Sequence, residues 1–207
     1  FPIHVLVSER TKRAGSKTLK YHLVSGELPF GSIWETEHEF SVASPLLTLY
    51  QLAATLSKTQ LAMAMYEMCG TFTTFKPSPV IEDLLEAARA HGCLPTSNWR
   101  RVTDNSGRPS SLWKRPPLID IDELVQFAAN LKGRRHSLKF QQAVELVTGI
   151  TASPFEAQLS LLLATPRKEG GEGLGCFENN KQISLSFKAA RIADQRSCYA
   201  DLYFEDT

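Results

Sequence analysis

Two carboxylates late in the chain have the type and the setting that metal chemistry asks for. Glu156 sits in Ser153-Pro154-Phe155-Glu156, where a helical pattern begins, and Asp201 is a lone acid in the strand-like run Tyr199-Ala200-Asp201-Leu202-Tyr203-Phe204. Magnesium binds phosphate substrates through one or two carboxylates and keeps several waters. Metal-dependent phosphodiester cleavage therefore needs acids projected from rigid elements toward one point. Asp201 is the residue of the right kind for the metal, and it stands alone. Each acid also has a structural reading. Glu156 follows Ser153 at the spacing of a capping box, which would spend the carboxylate on closing a helix start. Strand alternation puts Asp201 on one face with Tyr199 and Tyr203, the face an edge strand turns to solvent.

Two basic stretches form a second candidate site. The first holds Trp99, Arg100, Arg101, Arg108, Trp113, Lys114 and Arg115; the second holds Lys132, Arg134, Arg135, His136 and Lys139. Lys and Arg contacts to phosphates give sequence-independent nucleic-acid affinity, and tryptophans can stack on bases. The competing reading is a solvated loop whose tryptophans anchor in a core. The glycines at 170, 171, 173 and 175 do not follow a strand and open a helix, as a phosphate-binding loop requires, and read as a turn. Cys69, Cys93, Cys176 and Cys198 form no CxxC and no zinc-ligand spacing, and read as reduced thiols of a cytosolic protein. The five histidines, at 4, 22, 38, 91 and 136, are dispersed, and no serine lies in a hydrolase elbow.

The elements that must position these residues follow from period and punctuation. Residues 3–7, 19–24 and 39–42 have a strand texture and suggest a small N-terminal sheet. Ser44-Pro45 reads as an N-cap with proline at the first helical position, ahead of an apolar face of Leu46, Leu49, Tyr50, Ala53 and Leu56. Ser57 caps a second helix, Lys58 to Cys69, ended by Gly70, and the two helices stack as a hairpin. Ser78-Pro79 opens a third helix whose stripe is Ile81, Leu84, Leu85 and Ala88. Residues 93–117 lack sustained periodicity and read as a long loop or connection. Asp120 and Glu123 then make a capping box before Leu124, Phe127, Ala128 and Leu131, and a further helix spans about Ser137 to Val147. The last helix starts at Ser153, and strands follow at Gln182 to Phe187 and Ser197 to Phe204.

Composition bounds the reading. The 207 residues are 43% apolar and 22% charged, which suits a globular chain, and 23 Lys+Arg against 22 Asp+Glu leave no whole-molecule field to attract nucleic acid or a membrane. Any such attraction must be local. The longest apolar stretches are too short to span a bilayer, and a soluble protein is expected. The chain opens at Phe1 without methionine and closes at Asp206-Thr207 after a strand-like run, so a piece cut at both ends is expected.

Ser153-Pro154-Phe155-Glu156, Leu159 to Leu163, Gly170-Gly171-Glu172-Gly173-Leu174, Asn180 and Ala200-Asp201-Leu202-Tyr203 together resemble bacterial uncharacterised proteins that end in a domain similar to very-short-patch-repair endonucleases, within the PD-(D/E)xK superfamily. The upstream Ser44-Pro45-Leu46-Leu47-Thr48-Leu49-Tyr50-Gln51-Leu52-Ala53 resembles a segment of abortive-infection-type antitoxin and regulator proteins. The resemblance implies that Glu156 and Asp201 are the catalytic helix and strand acids, with Asp201 on the metal. It also implies a further acid on a following strand. This chain lacks that strand, and Glu205 and Asp206 follow Asp201 too closely to replace it. Magnesium is thus expected in a full-length protein and not in this fragment, which is expected to be inactive.

The expected architecture is α/β (α+β): residues 1–92 as a small β segment with three helices, 93–117 as the connection, and 118–207 as helices leading into half of a restriction-endonuclease-like core. The expected function is a cytoplasmic, nucleic-acid-associated protein, with DNA as partner through Arg100, Arg101, Lys114, Arg115, Arg134, Arg135 and Lys139. The alternatives are a non-catalytic DNA-binding regulator or antitoxin-like module, and a phage-defence component acting through a protein partner.

Overall fold

The computed structural model describes residues 3–8, 17–24, 26–37, 39–92, 99–175 and 177–205. Cys93, Cys176, His38, residues 94–98 of the expected connection and the chain ends Phe1 and Asp206-Thr207 lie outside them. The fold is mixed α/β. β1 (Ile3–Val7) and β2 (Leu19–Leu23) pair in parallel, while β3 (Ile33–Glu35) and β4 (Ser41–Ala43) form a separate antiparallel pair. The expected small sheet is therefore two ribbons. The strand expected at 39–42 begins later because Glu39 takes a left-handed φ of 61° in the turn.

The helical body follows its caps. α1 (Pro45–Leu52) starts where Ser44 Oγ accepts from the Leu47 amide, and α2 (Lys58–Cys69) where Ser57 and Gln60 close a capping box. α4 (Ile121–Asn130) starts at the expected box of Asp120 and Glu123. α5 (Ser137–Val144) is shorter than expected and opens from His136 in a left-handed conformation. The apolar stripes of α1, α2, α4, α5 and α6 (Pro154–Ala164) meet in one core. At its centre the rings of Tyr50, Phe127 and Phe140 pack with centroids 5.9 to 6.4 Å apart. Such contacts remove apolar area from water and contribute most of the stability of a body this size.

Two expectations need correction here. Residues 100–114, read as loop, form a hairpin of β6 (Arg100–Thr103) and β7 (Pro109–Lys114), and β5 (Phe72–Thr74) joins them in the order β5-β7-β6. The turn is closed by Asp104, whose Oδ1 accepts from the Ser106 and Arg108 amides, with Gly107 at φ 75°. Its flanks lack period-2 apolarity, because Arg101 and Ser110 fill interior positions, so the pattern hid it. The third helix, α3 (Pro79–Ala90), starts as expected, but its stripe is not core: none of its residues is buried. It is tied to the sheet by the Glu82–Arg101 ion pair at 2.7 Å and by Arg89 over the Trp113 ring.

The C-terminal part places α6, a 3-10 turn at Arg167–Glu169, β8 (Phe177–Ser184), α7 (Phe187–Ala193) and β9 (Ser197–Phe204), with β8 and β9 antiparallel. The strand expected at 182–187 begins five residues earlier, and Phe187 opens a helix, capped by Ser186 Oγ accepting from the Ala189 amide. Replacing the fully buried Phe140 by Ala should cost about 3–5 kcal/mol in urea unfolding. Leu84→Ala on α3, where Leu84 is 59% exposed, should stay within about 0.5 kcal/mol of wild type. Equal losses in the two variants would contradict this division of the core.

Candidate functional site

Glu156 lies at a junction where the hairpin of β8 and β9 meets the helical body. Its Oε1 accepts from Ser153 Oγ at 2.8 Å, and its Oε2 accepts from the Ala152 amide at 2.8 Å and from Asn180 Nδ2 at 3.2 Å. Ser153 Oγ accepts in turn from the Glu156 amide. The helix start is thus capped, but the carboxylate reaches the amide before the cap residue, so the expected box is shifted by one residue. One turn along α6, Ser160 Oγ accepts from Asn179 Nδ2 at 2.5 Å. Consecutive strand residues point to opposite faces in a regular strand. Asn179 and Asn180 both reach α6 because Asn180 takes φ 50°, a left-handed conformation that Asn adopts at lower cost than most residues.

A buried polar chain continues inward. Asn179 Oδ1 accepts from Thr148 Oγ1 at 2.5 Å, and the Tyr66 hydroxyl accepts from the Thr148 amide while donating to the Leu146 carbonyl. Burial raises the Tyr66 pKa, so the phenol stays a donor. Gly149 bridges to Asn179 in parallel fashion, and a Cβ there would stand 3.0 Å from the Asn179 Cβ and amide nitrogen. Asn179 Nδ2 also reaches the Asp201 carbonyl at 3.4 Å, which brings β9 to the same junction.

Asp201 itself is exposed, on the strand face shared with Tyr199 and Tyr203. Among the described residues, no group of three or more His, Cys, Asp or Glu side chains is arranged to hold a metal ion. The glycine-rich loop closes the end of α6: Glu172, Gly173 and Leu174 donate backbone N–H groups to Leu162, Thr165 and Leu163 carbonyls. Gly171 is required there, since a Cβ would lie 2.1 Å from the Thr165 oxygen.

The basic residues divide sharply. Arg115 is buried, 4% exposed, at the C-terminus of α2, where it donates to the Glu67 carbonyl at 2.5 Å, to Gly70 at 3.4 Å and to Pro116 at 2.7 Å. A cation there complements the negative helix end. Lys114 donates to the Ala152 carbonyl, Lys139 to Leu56 and Arg134 to Glu27. Arg101 donates to Ser110 O, pairs with Glu82 and lies over the Trp113 ring. Arg100 and Arg101 are paired across β7 with Lys114 and Trp113, so they point to opposite sheet faces. The structure therefore does not gather the predicted cations into one patch; Arg100, Arg108, Lys132 and Arg135 are the exposed ones.

Comparison of the chain with protein-family models, with curated proteins and with solved structures finds no match. Among the described residues no helix is long and apolar enough to cross a membrane. Sequence reasoning named Asn180 only as part of a resemblance and missed Asn179, Ser160 and Thr148. The available signal was an Asn-Asn pair inside a strand, where Asn is disfavoured.

Two expected outcomes test this site. Asn180→Ala should be less stable than Asn180→Gly by about 1–2 kcal/mol in urea melts, since both lose the bonds but only Ala bears the left-handed strain. Equal stability would place Asn180 in an ordinary strand conformation. Cys69, free and packed beside Arg115, has its thiol pushed up to about 12, first by burial and then by Asp120 and Glu123. The unfolded thiol ionises near its ordinary value of 9.0 while the native one keeps its proton. Its contribution is intact below pH 9 and declines by about 1.4 kcal/mol per pH unit above it, toward 12. Cys69→Ala should remove that slope in urea melts between pH 8 and 10.5; an unchanged slope would contradict it.

Proposed function

We propose that this chain is a nucleic-acid-associated protein of the cytoplasm whose endonuclease-like core serves binding rather than cleavage. The observation that carries this reading is the state of Glu156: three donors occupy its carboxylate, two from the start of α6 itself and one, Asn180 Nδ2, that ties α6 to β8. A metal ion on this carboxylate would compete with those donors for its lone pairs, three of about four of which are already engaged. Magnesium, if the protein uses it, would rest on Asp201, whose side chain is exposed and suits an ion that keeps its waters. DNA is the proposed partner, with Arg100, Arg108 and the half-exposed Trp99 as contacts on the β6–β7 side. Arg115, Lys114, Arg134 and Lys139 support the fold through their carbonyl bonds.

A second reading, action through a protein partner, is favoured by α3. Its Val80, Ile81 and Leu84 are 67%, 38% and 59% exposed on one helix, a surface that a regulator or phage-defence component would cover.

Incubation with plasmid DNA and magnesium or manganese should give no cleavage, and duplex binding should weaken as salt rises. Arg100→Ala with Arg108→Ala should lower affinity and reduce the slope of log K against log salt by up to about 2. Cleavage that disappears in Asp201→Ala would overturn the non-catalytic reading. Binding with no salt dependence would overturn the phosphate contacts.

A further inference from the structure

The connection between β8 and β9 carries a surface that neither the fold nor the junction uses. Phe187 and Ile192 of α7 are 82% and 81% exposed, and no residue of that helix is buried. On a helix, Phe187 stands one turn from Arg191 and Lys188 one turn from Ile192, so each apolar group has a cation beside it. Ala189 and Ala190, half-buried, form the inner side. Between Leu185 and Arg196 the cations Lys188, Arg191 and Arg196 face a single acid, Asp194. In a chain whose net charge is +1, this short segment holds a local excess of positive charge around an exposed aromatic ring.

We infer that α7 and its flanks are a contact for single-stranded nucleic acid, with Phe187 stacking on an unpaired base and Lys188, Arg191 and Arg196 holding the adjacent phosphates. The inference rests on the nucleic-acid reading above and names a substrate form and a second contact for it. Stacking on an aromatic ring is indifferent to sequence because every base has a π-face, and the flanking cations supply the electrostatic hold. Arginine suits the role, since its planar fork matches phosphate oxygens. An anionic membrane would also attract these charges. Yet α7 is only about 10 Å long at 1.5 Å per residue and offers two apolar side chains, far less than the continuous apolar face of an interfacial helix.

The test is fluorescence anisotropy with a labelled 20-nucleotide oligo-dT, a 20-base-pair duplex, and vesicles of phosphatidylcholine with phosphatidylserine, across a salt series. Phe187→Ala should weaken oligo-dT binding roughly 5- to 100-fold with an unchanged salt slope, and Phe187→Trp should restore it. The combined Lys188→Ala, Arg191→Ala and Arg196→Ala variant should flatten the slope by about 2, because three fewer phosphates are neutralised on a single strand. Circular dichroism and thermal melting should be unchanged in all variants, as every altered side chain is exposed. Oligo-dT binding that ignores the α7 variants but falls in Arg100→Ala with Arg108→Ala would overturn this inference and leave the proposed function standing. Absence of binding to either DNA would overturn both. Vesicle binding that is lost in Phe187→Ala, with no oligo-dT binding, would overturn it in favour of a lipid surface.

Discussion

Two adjacent asparagines hold the C-terminal hairpin to the rest of the molecule, and the position of every candidate functional group late in the chain depends on them. Asn179 bonds Ser160 on α6, Thr148 ahead of it and the Asp201 carbonyl of β9, while Asn180 bonds Glu156 and the Ile150 carbonyl. Buried polar groups are expensive unless satisfied, and a fully bonded network fixes one arrangement in return. This one links α2, α6, β8 and β9 through Tyr66, Thr148, Asn179 and Ser160. The left-handed turn at Asn180 is part of it, because without that turn only one of the two side chains could face α6.

The same economy explains the cations. A near-neutral chain with two basic stretches suggests a phosphate-binding surface, but charge in a sequence does not say what the charge meets. Arg115, Lys114, Arg134 and Lys139 meet backbone carbonyls at a helix end and at chain segments that lack regular partners. Burial lowers the Arg115 pKa, with the nearby Glu67 and Cys69 pulling the other way, so the site is a guanidinium bound into structure. What remains for a ligand is a smaller set of exposed cations, among them Arg100 and Arg108 on the β6–β7 hairpin, Lys132 and Arg135 between α4 and α5, and Lys188 and Arg191 on α7.

Much of the helical body was legible because its signals are local. Ser44, Ser57, Asp120 and Ser153 each cap the helix they precede, and Leu124, Phe127, Ala128 and Leu131 all enter the core at helical spacing. The mixed α/β class followed from the same reading. The misses share a physical cause, dependence on distant partners. The β6–β7 hairpin carries Arg101 and Ser110 where a period-2 reading looks for apolar residues, and the stripe of α3 is apolar yet only half-buried at Leu85 and Ala88 and exposed at Ile81 and Leu84. α7 is too short for periodicity to register. Glu156 read correctly as a helix-start residue, but its third bond, from a residue 24 positions on, belongs to the fold and not to the segment.

The Asn179 and Asn180 junction, not the helical core, fixes the β8–β9 hairpin in place. Native-state hydrogen exchange on wild type and Asn179→Ala tests it most directly, residue by residue. Amides of β8 and β9 should lose protection in the variant while those of α2, α4 and α5 keep theirs. Unchanged protection across β8 and β9, or a uniform loss through the whole body, would contradict it.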